Sequence, residues 1–201
     1  MTYVALLRGI NVGGNNIIKM SALKSCLERE GFTDVTTFIA SGNVVFECDT
    51  RDAAKLTRRI ETVLSKTFGY DSRVVVLSAA QLAKIVASAP RDWSKRSDLR
   101  CNVLFLRSPV TAEEAIAFID AGPGIDRVES GPGVLYASTL LRSLKKSRLG
   151  KIIGTKVYKN ITIRTYNTSR KILALMERAG ANPVPAAAAA TDSRRDRRPS
   201  R

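Results

Sequence analysis

The chain has 201 residues, 44% of them hydrophobic, so it can bury a globular core without disulfides or a structural metal. It contains no histidine, which excludes Ser-His-Asp and Cys-His catalysis, histidine-bound metals and imidazole acid–base chemistry. Lysine and arginine number 33 against 18 aspartates and glutamates, and the net charge of +15 favours an anionic partner unless it serves only solubility.

The cysteines and the N-terminus indicate where the protein resides. Cys26, Cys48 and Cys101 are widely spaced and form no CxxC motif, which argues against a disulfide framework and a zinc site. Reduced thiols predict a cytoplasmic protein. A charge at Arg8 comes too early for a signal peptide, and no apolar run approaches the ~20 residues of a membrane span. We therefore expect no membrane partner, no metal and no cofactor, while the oligomeric state is not indicated.

A first series of elements runs from residue 3 to residue 87. Short apolar runs predict buried strands, and stripes such as Leu23, Cys26 and Leu27 predict amphipathic helices. Ser21 is expected to cap the first helix, and a capping box at Ser78 opens the third. The predicted elements are strand 3–7, helix 21–30, strands 35–39 and 44–46, helix 52–68, strand 74–77 and helix 79–87.

The same order of elements restarts after a polar, basic connection at residues 90–100, which contains the single tryptophan, Trp93. Thr111 begins a capping box for the first helix of this second half. The predicted elements are strand 103–106, helix 111–121, strands near 128 and at 134–137, helix 141–153, strand 161–164 and a last helix to residue 179, capped by Asn167 or Thr168.

The repeated order βαββαβα indicates an internal duplication, because the βαββαβ unit is typical of the ferredoxin-like split βαβ sandwich. We predict an α+β fold of two tandem ferredoxin-like βαββαβ subdomains with antiparallel sheets, the second half covering the open face of the first sheet. Residues 1–89 form the first subdomain, 90–100 the connection and 101–182 the basic second subdomain. Residues 183–201 form a disordered Arg-rich tail.

A glycine-rich loop follows the first strand. Its glycines can turn backbone N–H groups toward one anion, although it matches neither a P-loop nor GxGxxG. The alternative is that the loop binds no ligand and is only a tight turn whose backbone requires positive φ, which glycine and asparagine adopt readily. The turn at Ser41 and Asn43 is also a candidate, although turn chemistry alone favours a plain β-turn there. The loop residues considered as ligand-binding are Arg8, Gly9, Asn11, Gly13, Gly14, Asn15 and Lys19.

The segment from Leu140 to Lys171 holds ten lysines and arginines in 32 residues and no acidic residue. Such an arrangement repels itself unless solvent or a partner screens it. Tyr158 and Tyr166 lie between the cations and are suited to stacking on bases. The residues predicted to contact nucleic acid are Lys145, Lys146, Arg148, Lys151, Lys156, Lys159, Arg170 and Lys171.

Several motifs resemble one family. The segments Leu6–Asn16, Ser41–Phe46 and Ser147–Gly150 are similar to the uncharacterised bacterial family known as domain of unknown function 1697, and the likeness covers about residues 3–178. The resemblance implies a pair of ferredoxin-like subdomains and no established activity. The family pattern T-x-R-N-W-N-T stands here at residues 162–168, with Thr165 in place of Asn and Tyr166 in place of Trp.

Two main functional hypotheses follow. The first is a non-catalytic binder of nucleic acid or another phosphate-rich anion, because Ser147, Cys48 and Tyr136 have no visible base partner in the sequence. The second is a small-molecule enzyme or sensor whose site joins the glycine-rich loop and the Ser41 turn with Arg164, a bidentate clamp for phosphate or carboxylate, and Asn167. A structural module whose charge only keeps it soluble is the third reading.

Overall fold

A computed structural model describes residues 1–181, and the predicted tail at 183–201 lies outside the described residues. The first half contains β1 (Thr2–Leu7), α1 (Met20–Arg29), β2 (Thr33–Phe38), β3 (Asn43–Glu47), α2 (Ala53–Phe68), β4 (Val74–Ser78) and α3 (Ala79–Ala87). The second half contains β5 (Leu99–Leu106), α4 (Ala112–Ile116), β6 (Asp126–Gly131), β7 (Val134–Leu140), β8 (Ile161–Thr165) and α5 (Tyr166–Ala181). Within residues 1–181 no helix is long and apolar enough to cross a membrane.

The strands form two four-stranded antiparallel sheets, which confirms the predicted α+β class. The first sheet has the order β2-β3-β1-β4 and the second the order β6-β7-β5-β8. Relative to the chain the two orders are the same, because the first strand of each half lies between the third and the fourth.

Two of the four predicted helix caps are confirmed, while α5 begins at Tyr166, before the predicted caps Asn167 and Thr168. The Ser78 hydroxyl accepts from Gln81 N and the Gln81 side chain accepts from Ser78 N, which completes the predicted capping box. Thr111 caps α4 by accepting from Glu114 N. The prediction for Ser21 was wrong, since α1 begins one residue earlier and its N-cap residue makes no side-chain bond.

Three apolar clusters fill the layers of the molecule. One face of the first sheet packs on α1 and α2, through residues such as Phe46 and Ile60. The other face, including Val4 and Leu6, packs on α3, α5 and one face of the second sheet. Trp93 of the predicted connection is buried in this central cluster, so that connection forms part of the core. The far face of the second sheet packs on α4 and on the segment after β7.

The segment after β7 is not the α-helix that the apolar spacing predicted. Instead it forms three 3-10 segments, at Leu141–Lys146, Leu149–Gly154 and Tyr158–Asn160. Ser143 departs from helical φ and ψ, and two glycines fall in the second segment, where they weaken a regular helix. Asp126 of β6 also accepts from the Ser147 hydroxyl and from Arg148 N, which holds the chain between the first two segments.

Arg164 of β8 makes four hydrogen bonds across the junction between the halves, and the residue is only 7% exposed. Its Nε donates to Asn43 Oδ1 at 2.5 Å. Its Nη2 donates to the carbonyl oxygens of Leu7 at 2.7 Å, Ser41 at 2.9 Å and Gly42 at 3.1 Å. Its Nη1 bonds stay within β8. The guanidinium therefore joins β8 to β1 and to the turn between β2 and β3.

Every acceptor around Arg164 is neutral. Burial lowers the pKa of Arg164 to about 10, so the side chain remains charged at neutral pH. A buried cation is costly to desolvate unless its hydrogen bonds are satisfied, and the planar fork with its five N–H groups meets that condition here. A lysine ammonium has only three donors and lacks this geometry.

Other arginines strengthen the same junction. The Nε of Arg8 donates to the carbonyl oxygens of Tyr158 at 3.2 Å and Ile161 at 3.0 Å, and its guanidinium lies 4.7 Å from the centre of the Tyr158 ring. Arg107 of the second half forms a bidentate pair with Glu61 of α2, at 2.6 and 2.7 Å. These contacts cross between the halves in both directions.

Gly42 is required where the junction is tightest. Its φ is +78°, and a Cβ there would lie 2.6 Å from Ile10 Cδ1 and 2.8 Å from Leu7 Cβ. Any side chain at this position would push the turn away from β1 and so disturb the carbonyl groups that receive Arg164.

Replacing Arg164 tests the importance of this junction. We expect Arg164→Met to lower the free energy of unfolding by at least about 3 kcal/mol, because it leaves several buried neutral acceptors without a donor, each at a cost of about 1–3 kcal/mol. Arg164→Lys keeps the charge but should still cost at least about 1 kcal/mol. Urea unfolding at pH 7 measures both. Arg142→Met, at an exposed position in the first 3-10 segment, is the control and should change stability by less than about 0.5 kcal/mol. An Arg164→Met protein as stable as the parent would contradict this role.

Candidate anion-binding site

The three segments of the predicted small-molecule site meet in the fold. Asn11 Nδ2 donates to Ala40 O at 2.8 Å, which ties the glycine-rich loop to the turn between β2 and β3. Arg164 reaches the same turn through Ser41 and Gly42. The proximity required by the small-molecule hypothesis is therefore present.

The polar groups at this meeting point are used by the protein itself. Asn43 is fully buried, and its Nδ2 donates to Phe38 O at 2.8 Å. Asn11 holds Ile18 through two hydrogen bonds, of 2.8 and 3.0 Å. Arg164 has all its donors on protein acceptors. The convergence therefore stabilises the junction between the halves, and it leaves these three side chains without free donors for a ligand.

Apart from Arg8 and the buried Ile10, the rest of the glycine-rich loop is exposed. Gly9, Gly13 and Gly14 have φ values of 69°, 60° and 78°, and Asn16 Nδ2 closes the loop by donating to Gly9 O at 2.9 Å. The turn with positive φ values that the sequence suggested is thus present. The side chains of Asn15, Lys19 and Asn167 are exposed and make no side-chain hydrogen bond within residues 1–181.

The cations of the second half are distributed over several elements. Arg148 and Lys151 both pair with Asp120, at 3.2 and 2.6 Å. Lys156 lies over the Phe118 ring, and Arg170 lies 5.9 Å from the centre of the Tyr166 ring. The segment that lacks acids in sequence therefore meets carboxylates in space. Three further predicted residues are exposed without an ion pair in the described part of the chain: Lys145, Lys146 and Lys171.

Lys159 lies at the junction of the halves. It lines a narrow gap there together with Arg8, Arg73 and Arg107. The gap has no room for a water molecule, and Arg73 already binds Asp71 and Asn160. This cluster therefore belongs to the contacts that join the halves.

The two tyrosines expected to stack on bases are already packed. The Tyr158 ring is covered on one side by Arg8. The Tyr166 ring meets Trp93 edge-on, with centroids 5.4 Å apart. Thr165 accepts from Thr168 N at 3.1 Å and so caps the start of α5, a role that asparagine performs equally well. The two departures from the family pattern therefore preserve a cap and an aromatic contact.

A cleft of about 450 Å³ opens on the far face of the second sheet, where the 3-10 segments cover the strands only partly. We call it the second-sheet cleft. Its lining residues come from β5, β7, β8, the chain just after α4 and the segment that contains the 3-10 turns. They are Arg100, Asn102, Leu104, Ile119, Ala137, Thr139, Leu144, Ser147, Leu149, Gly150, Ile152, Ile153, Tyr158 and Ile163. The lining includes a guanidinium, an amide and hydroxyls, and no carboxylate of residues 1–181 belongs to it.

Asp126 shapes this cleft from behind. Its carboxylate accepts from Thr139 Oγ1 at 2.7 Å, Ser147 Oγ at 2.8 Å, and the backbone N–H groups of Gly122 and Arg148 at 2.9 Å each. Burial alone would raise the pKa of Asp126, but these hydrogen bonds outweigh burial and lower it. The ionised carboxylate therefore fixes the two hydroxyls that face the cleft.

The nucleophile candidates gain little from their surroundings. Ser147 does have a carboxylate partner in space, which the sequence did not reveal, but a carboxylate with a lowered pKa is a weak general base. Burial raises the pKa of Tyr136 to about 12, and its hydroxyl donates to Ile85 O at 2.6 Å. Burial likewise raises the pKa of the Cys101 thiol to about 11. No group of three or more Asp, Glu, Cys or His residues suited to a metal occurs within residues 1–181.

Arg100 and Asn102 were missed as site residues in the sequence. Arg100 fell within the predicted connection, and Asn102 preceded the predicted strand. Because β5 begins at Leu99, both residues project from the sheet on the same face as Leu104. The alternation of Arg100, Asn102 and Leu104 was the available signal.

The carboxylate of Asp126 leads to a pH-dependent prediction. We expect Asp126→Asn to lower stability at pH 7 by about 1–3 kcal/mol, since it removes acceptors from four donors. The folded pKa lies below the unfolded one, so this stabilisation is complete above about pH 4 and is lost as the pH falls through the folded pKa. Denaturant unfolding of both proteins from pH 7 to pH 3 should show the difference narrowing.

Asp120→Asn is the matched control for that experiment. Its partners are exposed, so it should cost less than about 1 kcal/mol. A difference between Asp126→Asn and the parent that stays constant down to pH 3 would contradict the assigned role of the carboxylate.

Known proteins share this architecture. The structure of a conserved bacterial protein, SP0830, from Streptococcus pneumoniae superposes with a TM-score of 0.77 and 26% sequence identity. The similarity covers 87% of this chain and 98% of that one, and so includes both halves. No curated protein matches the chain.

Residues 1–136 match the family described as protein of unknown function (DUF1697). This range contains the glycine-rich loop and the Ser41 turn, the motifs that first suggested the family. The chain therefore belongs to the DUF1697 family.

Proposed function

We propose that this protein is a non-catalytic binder of a phosphate-rich ligand, most directly a single-stranded nucleic acid, and that the ligand occupies the second-sheet cleft. The observation that carries the proposal is that the acid-free segment, Leu140 to Lys171, wraps this cleft and supplies eight of its fourteen lining residues.

The charge around the cleft supports an anionic ligand. Arg100 lies in the lining, while Arg142, Lys145 and Lys146 flank Leu144 on an exposed 3-10 segment. Residues 182–201 contain five arginines and two aspartates, a net charge of +3, so residues 1–181 carry the remaining +12 of the total of +15. A field of this sign accelerates the approach of polyanions and binds phosphates without reading sequence.

The chemistry of the lining supports a ligand that also has an apolar or aromatic part. Leu144, Ile153 and Ile163 are exposed hydrophobic residues and all three line the cleft. Asn102, Thr139 and Ser147 add amide and hydroxyl groups. A volume near 450 Å³ falls within the usual range for small-ligand sites, so one nucleotide unit fits.

The proposal also concerns the origin of the fold. We infer that the two halves are ferredoxin-like units produced by duplication of one βαββαβ segment, and the shared strand order supports this. In the first half α2 is a 16-residue helix, whereas its equivalent in the second half is broken into 3-10 segments, which exposes the sheet.

A cytoplasmic location accords with three free cysteines.

The geometry favours this reading over the small-molecule alternative. That alternative relied on Arg164 as a clamp, and the donors of Arg164 are taken by the protein. The exposed glycines of the loop retain the capacity to bind an anion through backbone N–H groups, but Gly9, Gly13 and Gly14 do not line any of four clefts in residues 1–181.

Oligonucleotide binding tests the proposal. A fluorescent single-stranded 12-mer is titrated with protein over a range of salt, and the slope of log K against log salt is measured by anisotropy. We expect Arg100→Ser/Lys145→Ser/Lys146→Ser to reduce that slope by about 2, since each lost phosphate contact accounts for about 0.7 on a single strand.

The matched control is Arg29→Ser/Lys55→Ser/Lys66→Ser, which removes the same charge from exposed positions of the first half. It should leave the slope nearly unchanged. Equal effects of the two triple variants would show that only net charge matters, and an absence of binding at low salt would refute the proposal outright.

A further inference from the structure

A second, larger cleft runs beside β4. It has a volume of about 740 Å³ and we call it the β4 cleft. Four consecutive residues, Val74 to Leu77, line it. Because side chains alternate between the faces of a sheet, a cleft that touches four residues in succession follows the edge of the strand. The start of α2 lines the cleft at Ala53–Arg58, α3 lines it at Gln81–Ile85, and the second half contributes Leu106–Ser108 and Pro132–Gly133.

Three of the four sheet edges in the molecule are protected against a further strand. The edge strand β2 contains a bulge between Thr33 and Thr36, and Asp34 has a φ of +48°. The edge strand β6 carries three charged residues among its six. On the edge strand β8, the carbonyl groups of Ile161 and Ile163 already accept from arginine side chains. Bulges, charges and covered groups are the usual devices that prevent edge pairing.

The fourth edge, β4, has neither a bulge nor a charge, and its covered backbone groups lie only at its two ends, at Val74 N and Ser78 N. Its sequence, Val-Val-Val-Leu-Ser, contains no charge and no proline, and its register with β1 is regular throughout. Apolar β-branched residues are also those that favour strand pairing. A bare edge of this kind is a liability unless a partner uses it.

Backbone groups of β4 point into the cleft. Along β4 the backbone N–H and C=O groups of successive residues point alternately toward β1 and toward the free edge. The hydrogen bond from Arg8 N to Arg73 O sets which residues do which: the backbone groups of Val75 and Leu77 face β1, and those of Val74, Val76 and Ser78 face the free edge. At one end Val74 N donates to Glu61 Oε1, and at the other end Ser78 N donates to Gln81 Oε1. Between these two capped positions, the N–H and C=O of Val76 remain for an incoming chain.

The charge of the cleft selects the occupant. Arg58 and Lys84 are exposed on its walls and form no ion pair within the described residues, while Arg107 is held by Glu61. Among residues 1–181, no carboxylate lines the cleft. A second copy of this chain would bring the same cations against these, so self-pairing is opposed by like-charge repulsion.

We propose that the β4 cleft binds an extended acidic segment of a partner protein, which joins the first sheet as a fifth strand. Main-chain hydrogen bonds to Val76 hold the segment, and alternate side chains pack on the apolar floor. The acidic side chains meet Arg58 and Lys84. This site is distinct from the second-sheet cleft and does not depend on it.

A displayed library of random seven-residue peptides, panned against the full-length protein at low salt, tests the proposal. We expect the enriched peptides to alternate apolar with acidic residues. The strongest is then synthesised with blocked ends, and its affinity is measured by fluorescence anisotropy. Recovery of no such alternating acidic peptide would overturn the proposal.

Backbone methylation of the synthetic peptide distinguishes strand addition from simple anion binding. One N-methyl group at each position in turn keeps charge and composition but removes one donor. The position opposite Val76 should lose at least tenfold in affinity, and its two neighbours should lose little, since their N–H groups point away from β4. Equal tolerance at all positions, or competition by inorganic phosphate alone, would show an anion site and contradict the fifth strand.

Charge reversal locates the peptide on the protein. Arg58→Glu/Lys84→Glu should weaken binding by roughly tenfold, because each exposed charge pair contributes up to about 1 kcal/mol and 1.4 kcal/mol is tenfold. Arg29→Glu/Lys66→Glu is the control, with the same change of charge on α1 and the end of α2. Equal loss in both variants would overturn the assigned site. Sedimentation provides a second check on the assigned site. A dimer that dissociates in Arg58→Glu/Lys84→Glu and persists in the control would also overturn the proposal.

Discussion

The buried guanidinium of Arg164 is the interaction on which the arrangement of this protein depends. It carries a charge into the interior that no carboxylate of residues 1–181 balances, and four of its six acceptors are carbonyl and amide oxygens of the other half. Such a group is tolerable only when its hydrogen bonds are satisfied, so the two halves must keep one relative position. The tight turn at Gly42 and the reciprocal contacts of Arg8 follow from the same requirement.

This constraint changes what the family motifs mean. The glycine-rich loop, the Ser41 turn and Arg164 are polar and unusual, and such features often mark an active site. Here they face one another across the junction and satisfy one another. The two proposed ligand sites lie on surfaces that the junction positions but does not fill. These are the second-sheet cleft, with Arg100 in its lining, and the β4 cleft, with Arg58, Lys84 and Arg107; within residues 1–181 neither is lined by a carboxylate.

The sequence was a good guide to local structure and a poorer one to long-range contacts. The helix caps at Ser78 and Thr111 could be predicted because a cap is a hydrogen bond from a backbone N–H to a side chain only three positions earlier in the sequence. The helix expected at 141–153 was wrong because Asp126, distant in sequence, binds Ser147 and Arg148 and so favours short 3-10 turns. The pairing of Arg148 and Lys151 with Asp120 was likewise invisible in an acid-free segment. Burial of Arg164 by neutral oxygens has no local signature at all.

Native-state hydrogen exchange tests most directly whether the junction makes one cooperative unit of the two halves. Amide exchange in β1 and in β5, the central strands of the two sheets, is followed as denaturant increases toward the unfolding transition. If Arg164 joins the halves as described, the slowest amides of both strands will converge on one opening free energy equal to that of global unfolding. If β5 opens at a lower free energy than β1, the halves unfold separately and the account is contradicted.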